Sequence, residues 1–291
     1  EIKKKISFDL TRDQMNSLNQ INNDLKSNQK MFRLLQGDVG SGKTIVALIA
    51  ANNVISNNYQ VSLMAPTEIL AKQHFNLAKK LFIKEINIKL LTSKTEYQDR
   101  KKILNDLNNH KIDLLIGTHS LFQEKISYKK LGLIIIDEQH KFGVKQRKKL
   151  SDKGGRNCDI LVMSATPIPR TMIMTIFGDM DTSIIKNKPK VRKEVKTYSK
   201  LDTKVNEVIK FIQKQISNNN QVFWVCPLIE ESKKVDHQSS VKRYENLKKI
   251  FKSRVGLLHG TLEKNQKDKI LKDFLNKKID ILVSTTVIEV A

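Results

Sequence analysis

The residues with the most chemistry to offer form a short run, Gly37-Asp38-Val39-Gly40-Ser41-Gly42-Lys43-Thr44, which fits G-x-x-x-x-G-K-[ST]. A chain that bends around a polyphosphate must turn several backbone N–H groups inward, and Gly37, Gly40 and Gly42 adopt the required dihedrals cheaply. A helix starting where the loop ends adds further N–H groups and the positive end of its dipole. Lys43 would then reach the β and γ phosphates, and the Thr44 hydroxyl would ligate Mg²⁺. The bland alternative is a chance glycine-rich turn. Against it stand the apolar run Leu34-Leu35 before the loop and the helical pattern Ile45, Val46, Leu48, Ile49 after it.

Phosphoryl transfer to water also needs a second group on the metal and a base for the water. In "LIIIDEQH" four apolar residues form a buried strand, and Asp137 and Glu138 follow at its carboxyl end. Ligands of open α/β sheets bind at that end of the strands. Asp137 would hold Mg²⁺ through water, and Glu138 would orient and deprotonate the nucleophile. Alone, such a pair reads as a helix N-cap; the phosphate loop upstream tips the reading to chemistry. "CDILVMSAT" ends a further apolar run with Ser164, Ala165 and Thr166. These suit either a strand-ending turn before Pro167 or a hydrogen-bonding relay between the nucleotide and a neighbouring domain.

The elements that must position these groups alternate as βα units, which predicts an α/β fold with parallel sheets flanked by helices. After the loop helix come "QVSLMAP", then a helix with apolar face Ile69, Leu70, Leu77 and Leu81, interrupted by Gln73. "INIKLLTS", a charged helix over Glu96 to Asn108, "IDLLIGTH", "LGLIIIDE" and "CDILVMSAT" follow. Five such strands suit a doubly wound sheet. The stretch "NKPKVRK" has no periodicity and reads as a linker. Beyond it the rhythm restarts with a helix from Asp202, "QVFWVCPL", a helix around Tyr244 to Phe251, "VGLLHG", a helix from Lys264 and "IDILVSTT". This second region has no phosphate loop. The expected domains are 1–188, which binds ATP, and 189–291, an incomplete second domain.

Composition narrows the class. A chain of 291 residues supports about two cores. It has no apolar run long enough to span a membrane and no leader-like start, which implies a soluble, intracellular protein without a membrane partner. Cys158 and Cys226 lie inside apolar runs and read as buried thiols in a reducing compartment. A formal charge of +23 suits a motor that contacts nucleic-acid phosphates. Lys, Asn and Ile are abundant throughout, however, so coding bias supplies part of that charge. The missing initial Met and an end just after a strand suggest a fragment.

Together these residues resemble a superfamily 2 helicase. Gly37 to Thr44 resembles motif I, "APTEILAKQH" motif Ia, "IGTHSL" motif Ib, Asp137-Glu138-Gln139-His140 a DEAH-like motif II, and Ser164 to Thr166 motif III. "DEQHKFGVKQR" with "SATPIPRTMIMTIFGDMDTS" is similar to the RecG branch of bacterial ATP-dependent DNA helicases. "VFWVCPLIEES", "LLHGTL" and "ILVSTTVIEV" resemble motifs of the second RecA-like domain, so the fold implied is two RecA-like P-loop domains.

The resemblance implies ATP and Mg²⁺ as cofactors, and a monomeric motor that remodels stalled forks and Holliday junctions by moving on duplex DNA in recombination and repair. It also implies a cytoplasmic, nucleoid-associated bacterial protein. "FDLTRDQ" resembles the segment before the P-loop, where Gln14 would read adenine. Pro66, Thr67 and Glu68 of motif Ia and Thr118 and His119 of motif Ib would contact the DNA backbone without reading bases. Thr118 and His119 also fit a plain strand-ending turn, His140 a surface histidine, Arg147-Lys148-Lys149 a solvated helix face, and His259-Gly260 a strand-to-turn transition. No stretch corresponds to a wedge domain or to the arginine-bearing motif VI, and Ala291 stands where the family has glycine. Two alternatives are a transcription-repair coupling translocase, whose motif II differs from "DEQH", and a fragment that binds nucleotide and DNA without turnover.

Overall fold

The runs ending in Gly37, Ile136 and Ser164 become neighbouring parallel strands because each is apolar on both faces, and only a sheet covered by helices on both sides hides such strands. The computed structural model describes residues 6, 8–118, 121, 126–137, 158–166, 180–187, 195–226, 233–259 and 262–284, with the side chains of 233–240, 264, 265 and 268 excepted. They fall into two compact units, Glu1–Glu194 and Val195–Ala291.

The first unit contains β1 (Phe32–Gly37), β2 (Gln60–Met64), β3 (Ile88–Leu91), β4 (Leu114–Gly117), β5 (Leu131–Ile136), β6 (Asp159–Ser164) and β7 (Asp181–Ile185). They form one parallel sheet in the order β3-β4-β2-β5-β6-β1-β7. Its helices are α1 (Arg12–Lys26), α2 (Lys43–Ile55), α3 (Glu68–Leu81) and α4 (Tyr97–Asn108). Alternation along the strands sorts the core into two layers. Leu35, Leu133, Ile135, Leu161 and Met163 pack with residues of α1, α2 and α3, whereas Leu34, Ile134, Ile136 and Val162 pack with Ile103 and Leu107 of α4. Residues 46–51 of α2 are buried without a break, so the helix is covered on all sides by the sheet and α1, and Val46, Leu48, Ile49 and Val54 contribute on the order of 6–12 kcal/mol before entropy is counted. That anchors the helix whose first turn must face the phosphates.

The second unit has α5 (Val205–Ser217), preceded by a 3-10 turn over Asp202–Lys204, then β8 (Val222–Val225), α6 (Lys233–Phe251), β9 (Val255–Leu258), α7 (Lys264–Leu275) and β10 (Ile281–Ser284). Its sheet is parallel, ordered β8-β10-β9. Ile212, Leu247, Val255, Ile281 and Val283 form one core, and Leu258, Phe274 and Leu282 another. The α/β class with two parallel sheets flanked by helices is therefore as the βα rhythm predicts.

Three local readings change. β7 escapes the sequence pattern: it is short and polar, with Asp181 and Ile184 exposed, yet it completes the sheet by pairing with β1. The face of α3 differs from the one expected at Ile69, while Leu81 is buried and Leu70 and Leu77 pack against the core. Ala71, His74, Ala78 and Leu81 are buried, while Ile69 is 44% exposed, because two alanines let the helix lie close to the sheet. α6 begins at Lys233, earlier than Tyr244, in a stretch too polar to show an apolar stripe.

Both cysteines are buried and free, and burial pushes the Cys158 thiol up to about 12, against the opposing pull of Lys30. A thiol with that pKa is ionised to only ~10⁻⁴ at pH 8. Cys158 of the folded protein is therefore expected to resist iodoacetamide at pH 8 and to be alkylated once urea unfolds the chain, as read by peptide mass spectrometry. Rapid labelling without denaturant would contradict the buried placement.

Candidate functional site

The turn between β1 and α2 is built so tightly that side chains at two of its positions would collide. A Cβ on Gly37 would lie 2.6 Å from Ser41 Oγ and 3.0 Å from the Ile185 carbonyl oxygen. One on Gly42 would lie 2.3 Å from Gln14 Nε2, and Gly42 has φ +89°, a conformation that L side chains rarely adopt. Gly40 also has positive φ, 73°. Within the turn the Ser41 amide donates to the Asp38 carbonyl at 3.0 Å, and the Val39 amide donates to Asp38 Oδ1 at 2.7 Å.

Helical bonding in α2 starts with the Ile45 and Val46 amides, which donate to the Gly42 carbonyl. The amides of the first turn thus face the loop from the positive end of the helix. Lys43 is folded over the same turn, its Nζ donating to the carbonyls of Gly37 at 2.6 Å and Asp38 at 3.2 Å. Phosphate oxygens entering the turn would offer this ammonium charged acceptors, which bind about twice as strongly as neutral ones. Ser41 Oγ is buried and has no hydrogen-bond partner among the described residues. An orphaned hydroxyl one residue before the N-cap of α2, and glycines whose missing Cβ lets the turn close this tightly, fit a polyphosphate.

Gln14 does something the motif alone does not show. It is fully buried; its Oε1 accepts from the Thr11 amide at 2.9 Å and its Nε2 donates to the Ser41 carbonyl at 2.7 Å. The Thr11 hydroxyl accepts from the Gln14 amide in return, completing a capping box at the start of α1. Gln14 therefore ties that cap to the phosphate loop. To read adenine it must exchange one of these bonds.

Asp137 follows β5 directly, and its amide donates to the Met64 carbonyl of adjacent β2 at 2.8 Å. Its carboxylate is buried, and Oδ2 lies 2.7 Å from His74 Nε2. A carboxylate only accepts, so the imidazole presents Nε2–H to it. In the sheet β6 alone stands between β1 and β5. At about 4.8 Å per strand the two carboxyl ends are roughly 10 Å apart on one edge. Thr44 is half-buried at the start of α2. Among the described residues no group of three or more His, Cys, Asp or Glu forms a metal cage. Mg²⁺ ordinarily takes one or two protein ligands beside substrate phosphates, and Thr44 with Asp137 provides a pair of that kind.

At the tip of β6 the Ser164 hydroxyl lies 3.0 Å from Thr166 Oγ1 and 3.2 Å from the Thr166 carbonyl, with Ala165 half-buried between them. Gln36, immediately before Gly37, donates from Nε2 to that same carbonyl at 3.2 Å. Sequence reading missed both Gln36 and His74. The 71-74-78-81 spacing of buried positions in α3 was the available signal for His74, obscured by the larger residues on the neighbouring face.

Pro66, Thr67 and Glu68 sit where β2 enters α3, next to Thr118 at the end of β4, because β2 and β4 pair with Met64 opposite Gly117. Thr67 caps α3 by accepting from the Leu70 amide at 3.3 Å. Glu68 pairs with Lys94 and accepts from the Ser93 hydroxyl at 2.9 Å. The Thr118 carbonyl accepts from the Leu121 amide at 2.9 Å, and the His259 carbonyl from Leu262 at 3.3 Å, each as a turn. His119, Glu138, Gln139, His140, the run 147–149 and Gly260 lie outside the described residues. A cleft of about 970 Å³ opens at the opposite, amino-terminal edge, bounded by Lys26, Lys30, Asn57, Gly132 and Asp159 and by none of the phosphate-loop residues.

Residues 11–175 match the DEAD/DEAH box helicase family, and residues 203–291 match the helicase conserved C-terminal domain. The chain belongs to the DEAD/DEAH box helicases. It is 46% identical over 290 residues to the ATP-dependent DNA helicase RecG of Bacillus subtilis, covering 99% of this chain and 42% of that protein. To the RecG of Thermotoga maritima it is 46% identical over 293 residues, covering 100% of this chain and 37% of that protein. The chain thus spans about two fifths of the length of these curated relatives. A solved structure of RecG bound to a three-way DNA junction matches with TM-score 0.79 and 41% identity, covering 99% of this chain and 37% of that one. Mss116p bound to ssRNA and AMP-PNP matches at TM-score 0.69 and 19% identity, covering 98% of this chain and 62% of that one, a likeness of fold alone. Within the helicases the sequence is of RecG type. Both RecA-like units follow from these matches and from the two parallel sheets.

The Gln14 clamp generates a stability prediction. Gln14→Ala removes one buried and one part-buried hydrogen bond and is expected to cost about 1–3 kcal/mol in urea unfolding. Gly42→Ala adds a collision and a strained φ and is expected to cost at least about 1 kcal/mol. Unchanged unfolding midpoints for both variants would contradict the geometry of the turn.

Proposed function

We propose that the chain is the ATP-driven motor of a DNA helicase that moves on duplex DNA and remodels branched substrates, stalled forks and Holliday junctions, in recombination and repair. The observation that carries this is the placement of the phosphate turn and Asp137 on one edge of one sheet, a single strand apart. RecG-type sequence over almost the whole chain supports duplex DNA as the track.

In this reading residues 1–188 form the ATP-binding domain and 189–291 the second domain. Amides of Gly37, Asp38, Val39, Gly40, Ser41, Gly42, Lys43 and Thr44 bind the polyphosphate, and Lys43 gathers charge from its terminal groups. Thr44 and Asp137 hold Mg²⁺, which when bound neutralises charge developing on the phosphate oxygens. Glu138 takes the proton of the attacking water. Thr166, whose carbonyl accepts from Gln36, and Ser164, hydrogen-bonded to Thr166, report the state of the turn to the rest of the motor. Pro66, Thr67, Glu68, Thr118 and His119 meet the sugar-phosphate backbone, which makes binding independent of base sequence. Closing on nucleotide and reopening after hydrolysis change the affinity for DNA and so produce movement. The motor works as a monomer in the bacterial cytoplasm, at the nucleoid. No helix among the described residues is long and apolar enough to cross a membrane.

Turnover of ATP should rise when forked DNA is added and fall to background in Lys43→Ala. No stimulated turnover would instead favour a nucleotide- and DNA-binding fragment. In the complete enzyme Glu138→Gln should keep nucleotide affinity within about twofold while lowering kcat about 10²-fold or more. A parallel loss of binding in a nucleotide titration would overturn the role of Glu138 as base.

A further inference from the structure

The buried pair of His74 and Asp137 is more than the phosphate turn requires. The two residues are 63 positions apart and 6% and 7% exposed, with 2.7 Å between His74 Nε2 and Asp137 Oδ2. Burying a carboxylate costs several kcal/mol unless a donor meets it, and the imidazole N–H is such a donor. A donor from any nearby element would satisfy that need. Among the described residues both anchors of Asp137 come from one segment: its amide donates to the Met64 carbonyl at the end of β2, and its carboxylate accepts from His74 in α3. Pro66, Thr67 and Glu68 lie between those anchors, with Thr67 as the cap of α3.

The geometry is that of a lever. His74 lies seven residues beyond Thr67, two helical turns or roughly 10 Å along the axis. α3 is held by Ala71, Ala78 and Leu81 against the sheet, so a shift of its capped end is carried to the imidazole. With Oδ2 fixed by His74, the plane of the carboxylate is fixed too, and with it the direction in which the other oxygen presents its lone pairs. We propose that His74 is a positioning residue that orients Asp137 for Mg²⁺ and mechanically joins the metal site to the 64–74 segment, so that DNA contact at the head of α3 is felt at the metal. This rests on the reading of Asp137 as a magnesium holder. Groups that orient a metal's ligands typically change metal affinity or activity 10–100-fold when removed.

Two polar replacements separate positioning from packing. The amide nitrogen of His74→Gln reaches the place of Nε2, whereas that of His74→Asn stops at the place of Nδ1. In the full-length protein, binding of a fluorescent ATP analogue is titrated against Mg²⁺, with Asp137→Asn as reference and melting temperature as a check on folding. ATP turnover is measured with and without forked DNA. His74→Asn should raise the Mg²⁺ concentration at half-saturation about tenfold or more and reduce DNA stimulation of kcat several-fold, while His74→Gln stays within about threefold of wild type in both. If the Asn and Gln variants behave alike, or if Asn leaves both readouts at wild type while Asp137→Asn shifts the Mg²⁺ midpoint, the role of His74 is overturned and that of Asp137 stands. If Asp137→Asn leaves the midpoint unmoved, the magnesium reading of Asp137 falls, and the proposal with it.

Discussion

A polyphosphate can be held by main-chain amides only if the chain around it has no Cβ in the way and cannot relax into a looser turn. In this protein both conditions are met by contacts from outside the turn. The Ile185 carbonyl of β7 closes on Gly37, and the Gln14 amide closes on Gly42 and bonds to the Ser41 carbonyl. Positive φ at Gly40 and Gly42 is permitted by glycine, and at Gly42 the Gln14 amide occupies the place a Cβ would take. The capping box that places Gln14 is a local device at the start of α1, so a helix cap serves as a clamp on the nucleotide turn.

Everything else at the site follows from that turn's place in the sheet. Parallel strands put all their carboxyl ends on one edge, and the order β2-β5-β6-β1 sets which loops meet. The tips of β1 and β6 are stitched by Gln36 and Thr166, and the tips of β5 and β2 by Asp137 and Met64. Joined by the β5–β6 ladder, these bonds form a row along the edge from the phosphate turn to the head of α3. A row of this kind gives a chemical event at one end a physical route to a binding surface at the other, because packed elements move as units and not as independent side chains.

The parts legible beforehand were those carried by local pattern. Glycines with Lys43 and Thr44, the apolar runs that became β1 to β6, and the acid following β5 all declare themselves within a few residues. β7 did not, because an edge strand needs only Ser183 and Ile185 inward and is otherwise polar. On α3 the expected Leu70, Leu77 and Leu81 do meet the core, but Ile69 was misjudged because side-chain size was taken as the guide to burial, whereas the helix buries Ala71, His74 and Ala78 in its place. Gln14 was read from its motif as an adenine contact, while its bond to the Ser41 carbonyl, 27 positions away, shows only in the fold.

The sequence by itself determined the identity and order of the chemical groups, since a phosphate turn, a strand and the acid after it are encoded by adjacent residues and their short-range stereochemistry. Only the tertiary structure decided their partners: that β6 alone separates the turn from Asp137, that Ile185 and Gln14 close the turn, and that a histidine on α3 meets the acid. Strand order is set by crossover connections and by burial of both sheet faces, and a linear pattern that specifies each strand's apolar character does not specify which strand it will lie beside.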